Sequence, residues 1–200
     1  MRTYNRNMRS ASLAIVVAAG VVLAGVAEYE SAKRKIELIG NDLAPRGSTI
    51  SLTPTELSAY AKGEIERAGE DGIRNPQVKL GDGVATGMAL VDFNKLMDSS
   101  GKSPNWLLAR LLEGEKQVAA TVRMESSKGM ATVHVERVEI SGLTLDGSAL
   151  QFLIKQVFLP RYPDAKIGEP FELGHNMEEI QVRPANVAVK ITPEDNAAIR

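Results

Sequence analysis

The chain has no cysteine. That excludes disulfides, thiolate metal sites, a cysteine nucleophile and a lipidated cysteine anchor. It does not set the compartment. Histidine is scarce: His134 and His175 are the whole supply. They lack the HExxH spacing of a zinc site, and His134 falls on the polar parity of a strand. Aromatics make up only 4% of residues, so Leu, Val, Ile, Ala and Met must fill the interior. Neither sign of charge dominates. The formal net charge is −1, and it stays near zero past Ala32. Nucleic acid is therefore not an expected partner, since phosphate binding needs a field of Lys and Arg.

Catalytic signatures are missing as well. The glycines of Gly81-Asp82-Gly83-Val84-Ala85-Thr86-Gly87 lack the dinucleotide spacing, and no Lys-Ser or Lys-Thr follows them. A hairpin turn accounts for them. No serine sits in a GxSxG elbow. Glu178 and Glu179 are adjacent, so on a strand they point to opposite faces. The expectation is a protein that is not an enzyme and needs no cofactor or metal.

What is present begins with a leader. Arg2, Arg6 and Arg9 precede an uncharged apolar run from Ala11 to Ala27. This is the plan of an export signal. As a helix the run spans roughly 25 Å, at the short end for a bilayer core of about 30 Å. Gly25-Val26-Ala27 also suits cleavage. Residues 1–32 are read as a signal peptide or a signal-anchor helix, and both fates stay open. Residues 33–200 are read as one domain outside the cytoplasm, either anchored at the inner membrane of the envelope or released to the periplasm.

The domain reads as α+β. Residues 28–39 continue as a helical stalk or turn to strand at Ile36 and Leu38. Residues 49–52 form a short strand. Thr53-Pro54-Thr55-Glu56 then carries a capping box with proline at the first helical position. Leu57, Tyr60, Ala61 and Ile65 follow at helical spacing, and Gly69 and Gly72 stop the helix. Residues 77–91 form a hairpin, with Val84, Thr86, Met88 and Leu90 sharing its apolar side. Residues 92–97 suggest a short helix. Ser103-Pro104 opens a second main helix with Leu107, Leu108, Leu111 and Leu112. In the next hairpin Val118, Ala120, Val122 and Met124 share a face. The parity then slips between Val135 and Val138, which a bulge near Glu136-Arg137 would repair. Asp146-Gly147-Ser148 opens a third helix, where Leu150, Leu153, Ile154, Val157 and Phe158 make a wide stripe. Phe171 and Leu173 are apolar in a loop or strand, and residues 180–191 close with a hairpin. The expected fold is a curved antiparallel sheet built from hairpins, packed against about three helices, after an N-terminal hydrophobic helix.

The apolar supply stands out. The helices are broad-faced and leucine-rich, and the strands offer aliphatics with Met88 and Met124. Two readings follow: an ordinary filled core, or a groove between sheet and helices that accepts acyl chains, with Met88 and Leu111 among its lining.

The stretch Ile50-Ser51-Leu52-Thr53-Pro54-Thr55-Glu56-Leu57-Ser58-Ala59-Tyr60 resembles the strand-then-helix opening of small bacterial tubular lipid-binding domains, the phospholipid-binding LmeA type among them. Val138 to Leu145, the helix to Phe158 and the closing hairpin are similar to the second half of such domains. The resemblance implies a rolled sheet holding phospholipid-like chains, with no enzymatic step. It also implies that Leu57, Tyr60, Leu150, Leu153, Ile154, Val157 and Phe158 line the lumen. Ser58 stands where that family usually has Asn. The function expected is envelope-located binding or transfer of lipid acyl chains, with membrane contact through the N-terminal segment and no protein partner specified. The alternative is a membrane-tethered scaffold domain with a dry core.

Overall fold

Three local signals start and stop the helix α2, Pro54–Ala68. Thr53 caps it, Pro54 occupies the first turn and Gly69 ends it in the left-handed region. The capping box closes both ways. The Glu56 amide donates to Thr53 Oγ1 at 3.2 Å, and the Thr53 amide donates to a Glu56 carboxylate oxygen at 2.8 Å. The computed structural model describes residues 25–97, 110, 112–160 and 163–194. Most of the leader and most of the second helix expected after Pro104 fall outside these residues.

Residues 25–40 form a helix, α1, so Ile36 and Leu38 are helical. It packs on α2 through two contacts. Ser31 Oγ and Lys35 Nζ each donate to Glu56 Oε1 at 2.6 Å. Glu56 is only 4% exposed. Burial pushes its pKa up, but the hydrogen bonds from Lys35, Ser31 and the Thr53 amide outweigh this and hold it at about 2. One turn earlier, the Tyr29 ring stacks on Tyr60 with centroids 6.0 Å apart. The Tyr29 ring lies against Gly63, where a β-carbon would stand 2.6 Å from Cδ2. The Tyr29 hydroxyl donates to Glu64 at 3.2 Å and accepts from Arg67. The boundary expected at 32/33 therefore falls inside a docked helix, with Ala32 fully buried.

The remaining elements are β1 (Thr49–Leu52), β2 (Ile73–Leu80), β3 (Val84–Asp92), α3 (Phe93–Met97), β4 (Glu115–Ser127), β5 (Met130–Ile140), β6 (Leu143–Leu145), α4 (Gly147–Phe152), β7 (Phe171–Glu172), β8 (Met177–Arg183) and β9 (Asn186–Ile191). All the strand pairings are antiparallel. They build two sheets where a single long one was expected. One is six-stranded in the order β2-β3-β4-β5-β6, with β7 also on β5; the other is β1-β9-β8.

Strand β8 crosses the tips of the β2–β3 and β4–β5 hairpins and joins the sheets. The Gly83 amide donates to Val182 O at 3.0 Å and the Gly129 amide to Glu178 O at 2.8 Å. Ser126 Oγ accepts from the Ile180 amide and donates to Ile180 O. Gly83 has φ +69, so the glycine-rich turn is a docking point for β8. At the other edge, Ser58 on α2 accepts from the Val78 amide at 2.8 Å and donates to Pro54 O at 2.6 Å. The hydroxyl thereby satisfies an edge amide of β2 and ties helix to sheet.

The expected bulge is present. Thr121 pairs with Arg137 and Val122 with Val135, so Glu136 is the extra residue. Residues directly opposed across antiparallel strands share a face. Val118, Ala120 and Val122 oppose Ala89, Gly87 and Ala85. The apolar face of β3 is thus Ala85, Gly87, Ala89 and Val91. Met88 opposes Ala119 and Thr86 opposes Thr121, on the polar side. This corrects the expected parity of β3. Met88 and Leu90 face away, while Ala85, Gly87 and Ala89 face the core side together with Val91.

One end of that apolar face is filled. Val91, Phe93, Leu96, Leu112, Val138, Ile140, Leu145 and Leu153 form a buried cluster under α3 and α4. Toward the other end the cover thins. Val122, Val133 and Val135 are half-buried. Among the described residues, nothing lies within 4 Å of where a Gly87 β-carbon would stand.

Candidate functional site

Helix α4 continues directly into a π-helical turn, Leu153–Phe158. The Leu159 amide donates to Ile154 O at 2.9 Å, five residues back. Residues five apart therefore align, where an α-helix aligns those three and four apart. Leu153 stays in the core cluster while Phe158, five residues on, emerges beyond it, 40% exposed. π-turns of this kind recur at functional sites.

Phe158 forms one wall of an open groove of about 760 Å3. Met130, Val133, Ala165, Ile167, Pro170 and Phe171 complete the apolar lining; by register Val133 and Phe171 share one face of the sheet, and Met130 sides with Glu172 on the other. The 163–172 segment is held in place along β5. The Gly168 amide donates to Val133 O at 2.8 Å, and β7 pairs Phe171 with Ala131. Val133 lies on the apolar side of the sheet, opposite Met124. The groove thus opens from the thinly covered end of the apolar face. Asp164, Lys166 and Glu172 also line it, all exposed.

Of the nine residues expected to line a ligand site, Phe158 lines this groove. Leu57 and Tyr60 lie on α2, with Tyr60 stacked on Tyr29. Met88 is on the polar side of β3. Leu150 and Leu153 pack in the core cluster. Ile154 is half-buried in the π-turn, which also contains Val157. Leu111 lies outside the described residues. The groove residues missing from the expectation are chiefly those of 165–171. Their signal was available: four apolar residues follow the Pro160–Pro163 break at irregular spacing.

His134 is exposed on the polar face, opposite Arg123. His175 is exposed and lies 3.7 Å from Asp42. Among the described residues no three of His, Asp and Glu gather in a way that would hold a metal ion. Among the same residues no helix is long and apolar enough to cross a membrane.

No protein-family model matches this chain, and no curated protein matches its sequence.

Proposed function

We propose that the protein is a non-catalytic binder of lipid acyl chains, held at the cell envelope by the segment that precedes α1. The observation that carries this reading is the groove of about 760 Å3, which falls in the size range of small-molecule sites. Aliphatic, aromatic and methionine residues make up most of its lining, with three exposed charged residues among them. Such a surface binds by removing methylenes from water, at about 0.8 kcal/mol each. Met130 and Phe158, both 40% exposed, are large apolar groups that an acyl chain would cover. The flexible Met130 side chain suits chains of varying shape.

The reading is tested on the full-length chain in vesicles with a diazirine-bearing palmitate. After photolysis and tryptic digestion, label is expected on peptides 129–137 and 167–190. These peptides carry Val133, and Ile167 with Phe171. Label confined to the N-terminal segment would contradict the reading, because that pattern reports membrane contact alone.

A further inference from the structure

The direction of α1 puts the groove at the far end of the domain from the N-terminal segment. α1 and α2 run antiparallel. Tyr29, near the start of α1, reaches Gly63, Glu64 and Arg67, while Ser31 and Lys35 reach Glu56 near the start of α2. α2 runs antiparallel to β2, which follows it after residues 69–72, with Ser58 meeting Val78. α1 therefore points from the Ile73 end of β2 toward the Leu80 end, where the hairpin tips lie. A helix rises about 1.5 Å per residue, so Ile39 stands roughly 21 Å from Gly25. There it packs on Val189 and Ile191 of β9. The groove is at the same end. Val133 opposes Met124, whose amide donates to Gly83 O at 3.0 Å, in the β2–β3 tip.

Large exposed apolar side chains gather at this far end. Leu43 is 67% exposed, and Met130 and Phe158 are 40% each. Asn176 ties the Leu43 loop to the start of β8, where its Nδ2 donates to Asp42 Oδ1 at 2.9 Å. Two residues on, Glu178 O accepts from the amide of Gly129, the residue before Met130. Leu43 and Met130 thus adjoin the same end of β8.

We infer that α1 is a strut, and that this far end docks on a second bilayer apposed to the one that anchors the chain. The inference rests on the two readings proposed above, an acyl groove and an anchoring N-terminal segment. The uncharged run ends at Ala27, and Glu28 is the first charge after it. The anchoring bilayer therefore meets the first turn of α1, with 24 residues of chain ahead of Gly25. The Glu56 and Tyr29 contacts fix the strut to α2, so the groove does not swing back to that surface. Leu43, Met130 and Phe158 enter the interface of the apposed bilayer, and an acyl chain passes into the groove without crossing water.

The test places a diazirine-acyl phosphatidylcholine either in the vesicles that carry the full-length chain or in a second, protein-free population mixed with them. Label on peptide 129–137 should be about fivefold higher from the second population. Leu43 does not line the groove. Leu43→Gln should therefore lower that label about threefold, while labelling by diazirine palmitate, which reaches the groove through water, stays unchanged. Equal or greater label from the chain's own vesicles, or no effect of Leu43→Gln, would overturn the docking inference and leave the acyl groove standing. Label from palmitate with none from either vesicle population would overturn it too, by excluding a bilayer as the source. A peptide that no probe labels would overturn the groove as well.

Discussion

Replacing Glu56 by alanine is expected to cost the fold about 3 kcal/mol or more, a drop on the order of 10 °C in the thermal midpoint. The carboxylate is 4% exposed and gathers donors from Ser31, Lys35 and the Thr53 amide. Its removal deletes half of the α2 capping box. It also leaves Lys35, two-thirds covered, without its partner. The same group gives stability a pH dependence of known sign. Its carboxyl titrates at about 2 in the folded chain, against 4.5 when unperturbed. Between these values the unfolded chain binds the extra proton, so stability rises with pH through the window. The contribution is complete above 4.5 and lost as the pH falls through about 2. At ~1.4 kcal/mol per unit it amounts to about 3 kcal/mol. Glu56→Gln keeps a capping amide but cannot ionise. Denaturant melts between pH 5 and pH 2 should therefore show a steep loss in the wild type and a much shallower one in the variant. Parallel slopes would show that Glu56 is not the titrating group.

Gly63→Ala should destabilise the protein, against the usual rule. An alanine in a helix interior normally gains about 1 kcal/mol over glycine. At this position the new methyl would overlap the Tyr29 ring. The ring must leave, and with it go the Tyr60 stack and the hydroxyl's bonds to Glu64 and Arg67. The expected net loss is about 2 kcal/mol, in the range of overpacked sites. Placed in a Tyr29→Ala background, the same substitution should recover its ordinary gain of about 1 kcal/mol. The sign reversal, a coupling of about 3 kcal/mol, is the readout of a double-mutant cycle in urea. A loss of equal size in both backgrounds would mean that Gly63 matters for a reason other than α1.

These two contacts also mark the limit of what the sequence discloses. The capping box at Thr53-Pro54-Thr55-Glu56 and the left-handed stop at Gly69 are local chemistry and were legible directly. So was the bulge at Glu136, because a slip in two-residue parity has few other remedies. The second role of Glu56 was not legible. It depends on Ser31 and Lys35, which lie 25 and 21 residues away in the chain. Strand β3 misled for a different reason. Its larger residues, Met88 and Leu90, advertise a buried face, but the sheet turns Ala85, Gly87 and Ala89 toward the core side. Parity alone cannot choose between two faces that both carry apolar residues.

The groove was half visible. A groove between the sheet and the helices was one of two expectations, and of the residues named for it Phe158 lines the groove described here. The π-turn hid the rest of the helix stripe, since it changes which residues align after Leu153. The remaining wall comes from 165–171, whose position depends on the Gly168 amide bond to Val133 and on the β7 pairing. No periodicity announces such a loop. Splitting the strands into two sheets likewise rests on side chains distant in sequence. Ser126 reaches both the amide and the carbonyl of Ile180, 54 residues on.

Lipid contact is most directly measured with a benzophenone amino acid placed either at Val133, inside the groove, or at Met88, on the reverse side of the sheet. Illumination of membranes containing the full-length chain, followed by mass spectrometry of the adducts, should find phospholipid attached at 133 and little or none at 88. Adducts in equal amount at both positions, or at neither, would mean that the space beside Phe158 holds no acyl chain.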